Sequence, residues 1–142
     1  MTQEERILLL QDLCARLPYG VKCCYDILSG EIKIDTLICI HKVIIGQGIY
    51  WDSYFEDCDG DIPLEIVKPY LRPLSSMTEE EWEEYGKVCE LDTEILANHP
   101  MNGEPFPALY NSQDWLNKNM FDYRGLIPKG LANEAPEGMY NN

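Results

Sequence analysis

The chain has 142 residues, the size of a single domain, long enough to bury roughly two-thirds of its unfolded surface without disulfides or metals. Apolar residues make up 45% and aromatics 11%, which excludes a disordered acidic tail. Acidic residues number 25 against 11 basic ones, a formal charge of −14, which argues against direct binding to nucleic acid or anionic membrane and for cationic partners.

The excess is concentrated. Residues 52–94 hold 14 acidic and three basic residues (Lys68, Arg72 and Lys87), or −11 of the −14. The opening residues, MTQEE, have neither a basic nor an apolar leader segment, so a cytoplasmic location is expected. The longest apolar run, Leu37 to Ile40, is far too short to span a membrane. The six cysteines (Cys14, Cys23, Cys24, Cys39, Cys58 and Cys89) are expected as reduced thiols in that compartment.

Residues 2–17 are predicted as a helix. Thr2 and Glu5 have capping-box spacing, Leu10, Leu13, Cys14 and Leu17 form one apolar stripe, and Pro18 and Gly20 end it. Residues 21–71 are predicted as a β-unit. Val21 to Ile27 forms a strand, Ser29 and Gly30 a turn, and Ile32 to Ile40 a strand that begins with alternating polarity and becomes apolar. Gly46 and Gly48 mark a turn before a third strand at Ile49 to Trp51. Residues 57–61 form an acidic loop, and residues 62–71 a short strand broken by Pro63 and Pro69. Short, closely connected strands of this kind predict a small antiparallel β-barrel of SH3-like form or a curled sheet.

A second helix is expected over residues 78–89. Thr78 serves as N-cap and Glu81 as its capping-box partner, with Met77 stapled against Trp82. Trp82, Tyr85 and Cys89 are taken as its inner face, and Gly86 weakens it. A short helix over residues 92–98, capped by Asp92 or Thr93, would follow. Residues 100–107 hold three prolines and read as a loop, Ser112 would cap a last helix, and residues after Ala135 are expected to be loose. The fold class is therefore α+β: one domain over residues 1–142, with an N-terminal helix, a small sheet, and a helical part over residues 78–131.

No motif fixes a reaction. Asp57, Asp59 and Asp61 have the spacing that opens a calcium loop, but Ile62 and Lys68 stand where that loop needs glycine and a bidentate glutamate. Cys39 and His41 share a strand face, yet His99 is the one other imidazole and no Cys-x-x-Cys pair exists. Neither set makes a metal site on this reading, and no cofactor and no catalytic residue is expected. Asp57, Asp59, Asp61, Glu79, Glu80, Glu83 and Glu84 are the candidate binding residues of an acidic surface. Trp115, Phe121, Tyr123 and Arg124 offer an alternative aromatic pocket for a nucleotide or other small molecule.

Three blocks, RILLLQDLCARLPYGVKC, VKPYLRPLSSMTEEE and WLNKNMFDYRGLIPKGLANEAPEGMY, resemble a group of small uncharacterised proteins of Bacteroides and their phages and prophages. They cover a little under half the chain. The resemblance implies an intracellular protein carried on mobile DNA and transfers no site residue. Charge and context together lead to one expectation: a non-enzymatic acidic protein that inhibits a host nucleic-acid-binding or defence protein by presenting carboxylates where that protein expects phosphates. The partner would be a host protein with a basic surface. The alternatives are a nucleotide-sequestering protein and a plain structural or adaptor module.

Overall fold

The structure, a computed structural model, describes residues 1–27, 30–99, 103 and 111–140. The expected turn at Ser29 and the proline-rich stretch at 100–107 fall outside these residues, apart from Gly30 and Gly103. The first helix, α1, spans Gln3–Arg16. Its capping box forms as the spacing predicts: Thr2 Oγ1 accepts from the Glu5 amide at 3.1 Å, and Glu5 Oε2 accepts from the Thr2 amide at 2.9 Å. A 3-10 turn at Leu17–Tyr19, built on Pro18, leads to Gly20, whose φ of +73° reverses the chain.

The sheet comprises β1 (Lys22–Asp26), β2 (Ile32–Ile45), β3 (Gly48–Phe55), β4 (Ile62–Pro63), β5 (Lys68–Leu71) and β6 (Asn133–Glu134). Their order is β4-β3-β2-β1-β5-β6, antiparallel throughout except for the parallel pair β5–β6. The fold is thus α+β, and of the two sheet forms expected it is the open one, not a closed barrel. The long strand β2 explains why. Its first part pairs with β1 from Ile32 to Thr36, and its second part pairs with β3. The register slips between Leu37 and Cys39, a bulge of the kind that increases local twist and bends a strand. Beyond the bulge the β2–β3 hairpin runs on past β1, with Gly46 at φ +61° in its turn.

The main core lies between α1 and the sheet. Leu9 and Leu13 of α1 meet Val21, Cys23 and Tyr25 of β1, Leu37, Phe55, Leu64 and Leu71. Two further helices follow the sheet, α2 (Glu79–Ala97) and α3 (Asn111–Lys118), and between them lies a smaller cluster of Met77, Trp115, Leu116 and Phe121.

Three details differ from the sequence reading. First, residues 78–98 form one helix with no break at residue 92. Thr93, expected as a cap, donates its hydroxyl to the Cys89 carbonyl one turn back, at 3.0 Å, a bond compatible with a helix interior. Asp92 is buried and accepts from the Ser112 amide at 3.0 Å and the Ser112 hydroxyl at 2.6 Å, so a carboxylate of α2 takes up free donors of the first turn of α3. Second, the inner face of α2 comprises Glu81, Tyr85, Val88, Cys89, Asp92 and Ile95, none of which is exposed, so Tyr85 and Cys89 lie where expected and Trp82 lies outside. Third, residues 136–140, expected to be loose, are held. Tyr140 packs on the main core, its hydroxyl accepting from the Lys22 amide at 3.0 Å and donating to the Tyr70 carbonyl at 2.7 Å.

Candidate protein-binding face

Helix α2 begins with the box formed by Thr78 and Glu81. Thr78 Oγ1 accepts from the Glu81 amide, and Glu81 Oε1 accepts from the Thr78 amide. The same Glu81 carboxylate receives two parallel hydrogen bonds from Arg72, at 2.8 and 2.7 Å. Arg72 in turn lies 4.1 Å from the Phe121 ring centroid. These contacts fix the rotation of α2 about its axis. With Glu81 turned inward, Glu79, Glu80, Glu83, Glu84, Glu90 and Glu94 all stand exposed on its outer side. Along the whole helix Lys87 is the one basic residue. Glu79 and Glu80 in the first turn lie at the positive end of the helix dipole, so their charge costs the fold little.

Trp82, 52% exposed, borders this acidic side at Glu79, one turn back, whereas Glu80 and Glu84 lie on the far side of the helix from it. Its ring meets Tyr85 edge-on, with centroids 6.2 Å apart. One turn further along, at i+4, is Gly86, whose missing side chain would meet nothing within 4 Å. The glycine leaves bare helix backbone beside the indole. The result is an exposed aromatic beside bare helix surface, with Glu79 one turn before it. Leu91, also 52% exposed, is nine residues on and so faces the opposite side of the helix from Trp82. An exposed tryptophan rimmed by polar groups is the type of anchor that dominates binding energy at protein interfaces, and its π-face attracts arginine or lysine.

The other acidic candidates lie elsewhere. Asp57, Asp59 and Asp61 are exposed on the loop from β3 to β4, at one margin of the sheet. Helix α2 follows β5, four strand positions from β4, roughly 19 Å away at the usual strand spacing. The loop is pinned where Asp57 donates its amide to Asp35 Oδ2 at 3.0 Å. The acidity of residues 52–94 is therefore divided between a helix and a loop.

The aromatic candidates come together, but inside the protein. Phe121 is fully buried and Trp115 is 8% exposed, their rings stacked 5.7 Å apart. Arg124 lies 4.4 Å from the Tyr123 ring centroid and binds Asp12 at 2.8 Å. A cavity of about 590 Å³ adjoins this cluster, lined by Arg72, Ser76, Thr78, Glu81 and residues 134–140. Its cation, Arg72, is engaged by Glu81, which leaves it poorly placed to neutralise a phosphate.

Among the described residues, no helix is long and apolar enough to cross a membrane. No family model matches the chain, and neither a curated protein nor a solved structure matches it.

The sequence pointed to Glu79, Glu80, Glu83 and Glu84, which share one helix. It placed Trp82 on the wrong side, although the spacing 81, 85, 88, 92, 95 was a signal that would have put Trp82 outside.

Proposed function

We propose that the protein is a non-enzymatic binding protein whose helix α2 docks on a basic protein surface, with Trp82, flanked by Glu79 and Glu83, as anchor and with Glu80 and Glu84, farther round the same helix, adding to its negative field. The observation that carries this reading is the half-exposed indole beside Gly86 on a helix that exposes six glutamates. Carboxylates steer a cationic partner and set register, while a desolvated aromatic supplies most of the affinity. The basic surfaces such a face fits include those that proteins use to hold phosphates. The resemblance to small proteins of Bacteroides and their phages supports one such target, a host nucleic-acid-binding or defence protein in the bacterial cytoplasm, inhibited by occupancy of its phosphate-binding groove.

The test compares capture from Bacteroides lysate by three forms of the protein. They are the wild type, a variant with Glu79, Glu80, Glu83 and Glu84 changed to Gln, and a variant with Asp57, Asp59 and Asp61 changed to Asn. The helix reading expects a nucleic-acid-binding protein captured by the wild type and the loop variant, lost with the helix variant, and displaced by added DNA. Equal capture by all three forms would refute it.

A further inference from the structure

The β2–β3 hairpin carries a separate chemical feature on its other margin. His41 of β2 and Asp52 of β3 lie directly opposite one another, so their side chains leave the same face of the sheet. Asp61 arrives from the loop before β4. Its position is set by the next residue, Ile62, which pairs with Ser53 and accepts a 2.9 Å hydrogen bond from the buried Ser53 hydroxyl. One donor atom from each of His41, Asp52 and Asp61 falls within 4.8 Å of the others. His41 Nε2 faces Asp61 Oδ2 at 3.8 Å, too far for a hydrogen bond. His41 Nδ1 is buried and has no hydrogen-bond partner. Nε2 is thus the ring nitrogen that the cluster offers as a donor, while the unpartnered Nδ1 is the other nitrogen of the ring.

We propose that His41, Asp52 and Asp61 form a binding site for one divalent transition-metal ion of the zinc class. Three segments of the chain supply one donor each, and the two carboxylates together carry the charge that balances a dication. Tetrahedral zinc with bonds of about 2.0–2.1 Å sets neighbouring donors about 3.3 Å apart, so closing the site takes about half an ångström between His41 and Asp61 and at most about 1.5 Å between any two of the three donors, within reach of side-chain rotation. The imidazole selects zinc-class metals over calcium and magnesium, which prefer oxygen alone. Tyr54 supplies the outer support: its ring stacks on His41 with centroids 5.1 Å apart. Asp57 belongs to a different set of contacts, because its backbone is held by Asp35 and Lys33. Three protein donors leave coordination positions for solvent, and the ion would clasp the acidic loop and the short β4 to the hairpin. Sequence spacing hid the site because the three residues are 9 to 20 positions apart and Asp61 had been grouped with Asp57 and Asp59.

The experiment is calorimetric titration of the reduced full-length protein with ZnCl2, together with visible absorption after CoCl2 addition. Wild type, His41→Ala, Asp61→Asn and Cys39→Ser are compared, and a melting curve confirms that each variant is folded. Asp61 is 41% exposed in its side chain, so Asp61→Asn leaves the fold intact. The proposal expects one ion per chain, a rise in Tm with zinc, cobalt d–d bands without a thiolate charge-transfer band, at least a tenfold loss of affinity in His41→Ala and Asp61→Asn, and no change in Cys39→Ser. It is overturned if the wild type fails to bind stoichiometrically, if both ligand variants bind as the wild type does, or if a thiolate band shows that cysteines hold the metal.

Discussion

Arg72 and Glu81 are joined by two parallel hydrogen bonds, and through them the end of β5 determines which way helix α2 faces. Glu81 is also the capping-box residue of that helix, so one carboxylate both starts the helix and orients it. The Arg72 guanidinium is the main cause of a Glu81 pKa below its ordinary value of 4.5. A folded-state pKa below the unfolded one gives stability that is present above the unfolded value and is lost as pH falls through the folded one. Melting followed by circular dichroism should therefore show stability falling with pH below about 4.5, and Glu81→Gln should flatten part of that acid limb while lowering stability at pH 7.

Gly86→Ala should separate stability from binding. Gly86 lies inside α2 with open space around it, and replacing glycine by alanine in an exposed helix interior stabilises by about 0.5–1 kcal/mol. The new methyl group would project into open space beside Trp82, where a docked partner would meet it. Chemical denaturation should show a more stable protein, and the same variant should bind the partner of α2 more weakly.

A buried ion network ties α1 to the C-terminal part. Arg16 and Asp12 are both fully buried, with Arg16 Nε 2.9 Å from Asp12 Oδ2. Arg16 also donates to the Phe121 carbonyl at 2.7 Å, and Arg124 donates to Asp12 at 2.8 Å. Removing one member of a buried pair leaves the other unpaired, so Asp12→Ala should cost about 3–5 kcal/mol in urea unfolding. Arg124, at the edge of the network with a side chain 16% exposed, should cost less when changed to Ala, about 1–3 kcal/mol.

Residues 136–140 are a structural element, and Tyr140→Phe measures their hold. The change removes the hydroxyl that accepts from Lys22 and donates to Tyr70. It should cost about 1–2 kcal/mol and speed amide exchange at Lys22.

The parts legible in the sequence were those governed by local chemistry. Thr2 with Glu5 and Thr78 with Glu81 announced both long helices, and the two boxes form as spaced. Gly46 marked the hairpin turn. What depended on distant partners was not legible. Asp92 looks like a cap for its own helix until Ser112 arrives from 20 residues away. Nothing local shows that Tyr140 meets β1 and β5, or that Trp115 and Phe121 are sealed against each other rather than open to a ligand. The candidate face was half legible. Its charge can be counted, but its orientation depends on Arg72, nine residues before Glu81.

The central claim is that α2 binds a basic protein surface through Trp82 and its carboxylates. The most direct measurement is the dissociation constant for the captured partner over a series of NaCl concentrations, for wild type and Trp82→Ala. The account predicts that wild-type affinity falls steeply as salt rises, because exposed charges are screened. It predicts that Trp82→Ala weakens binding at least tenfold while keeping the same salt slope, because the indole carries affinity and no charge. Affinity indifferent to salt, or unchanged by loss of the indole, would contradict it.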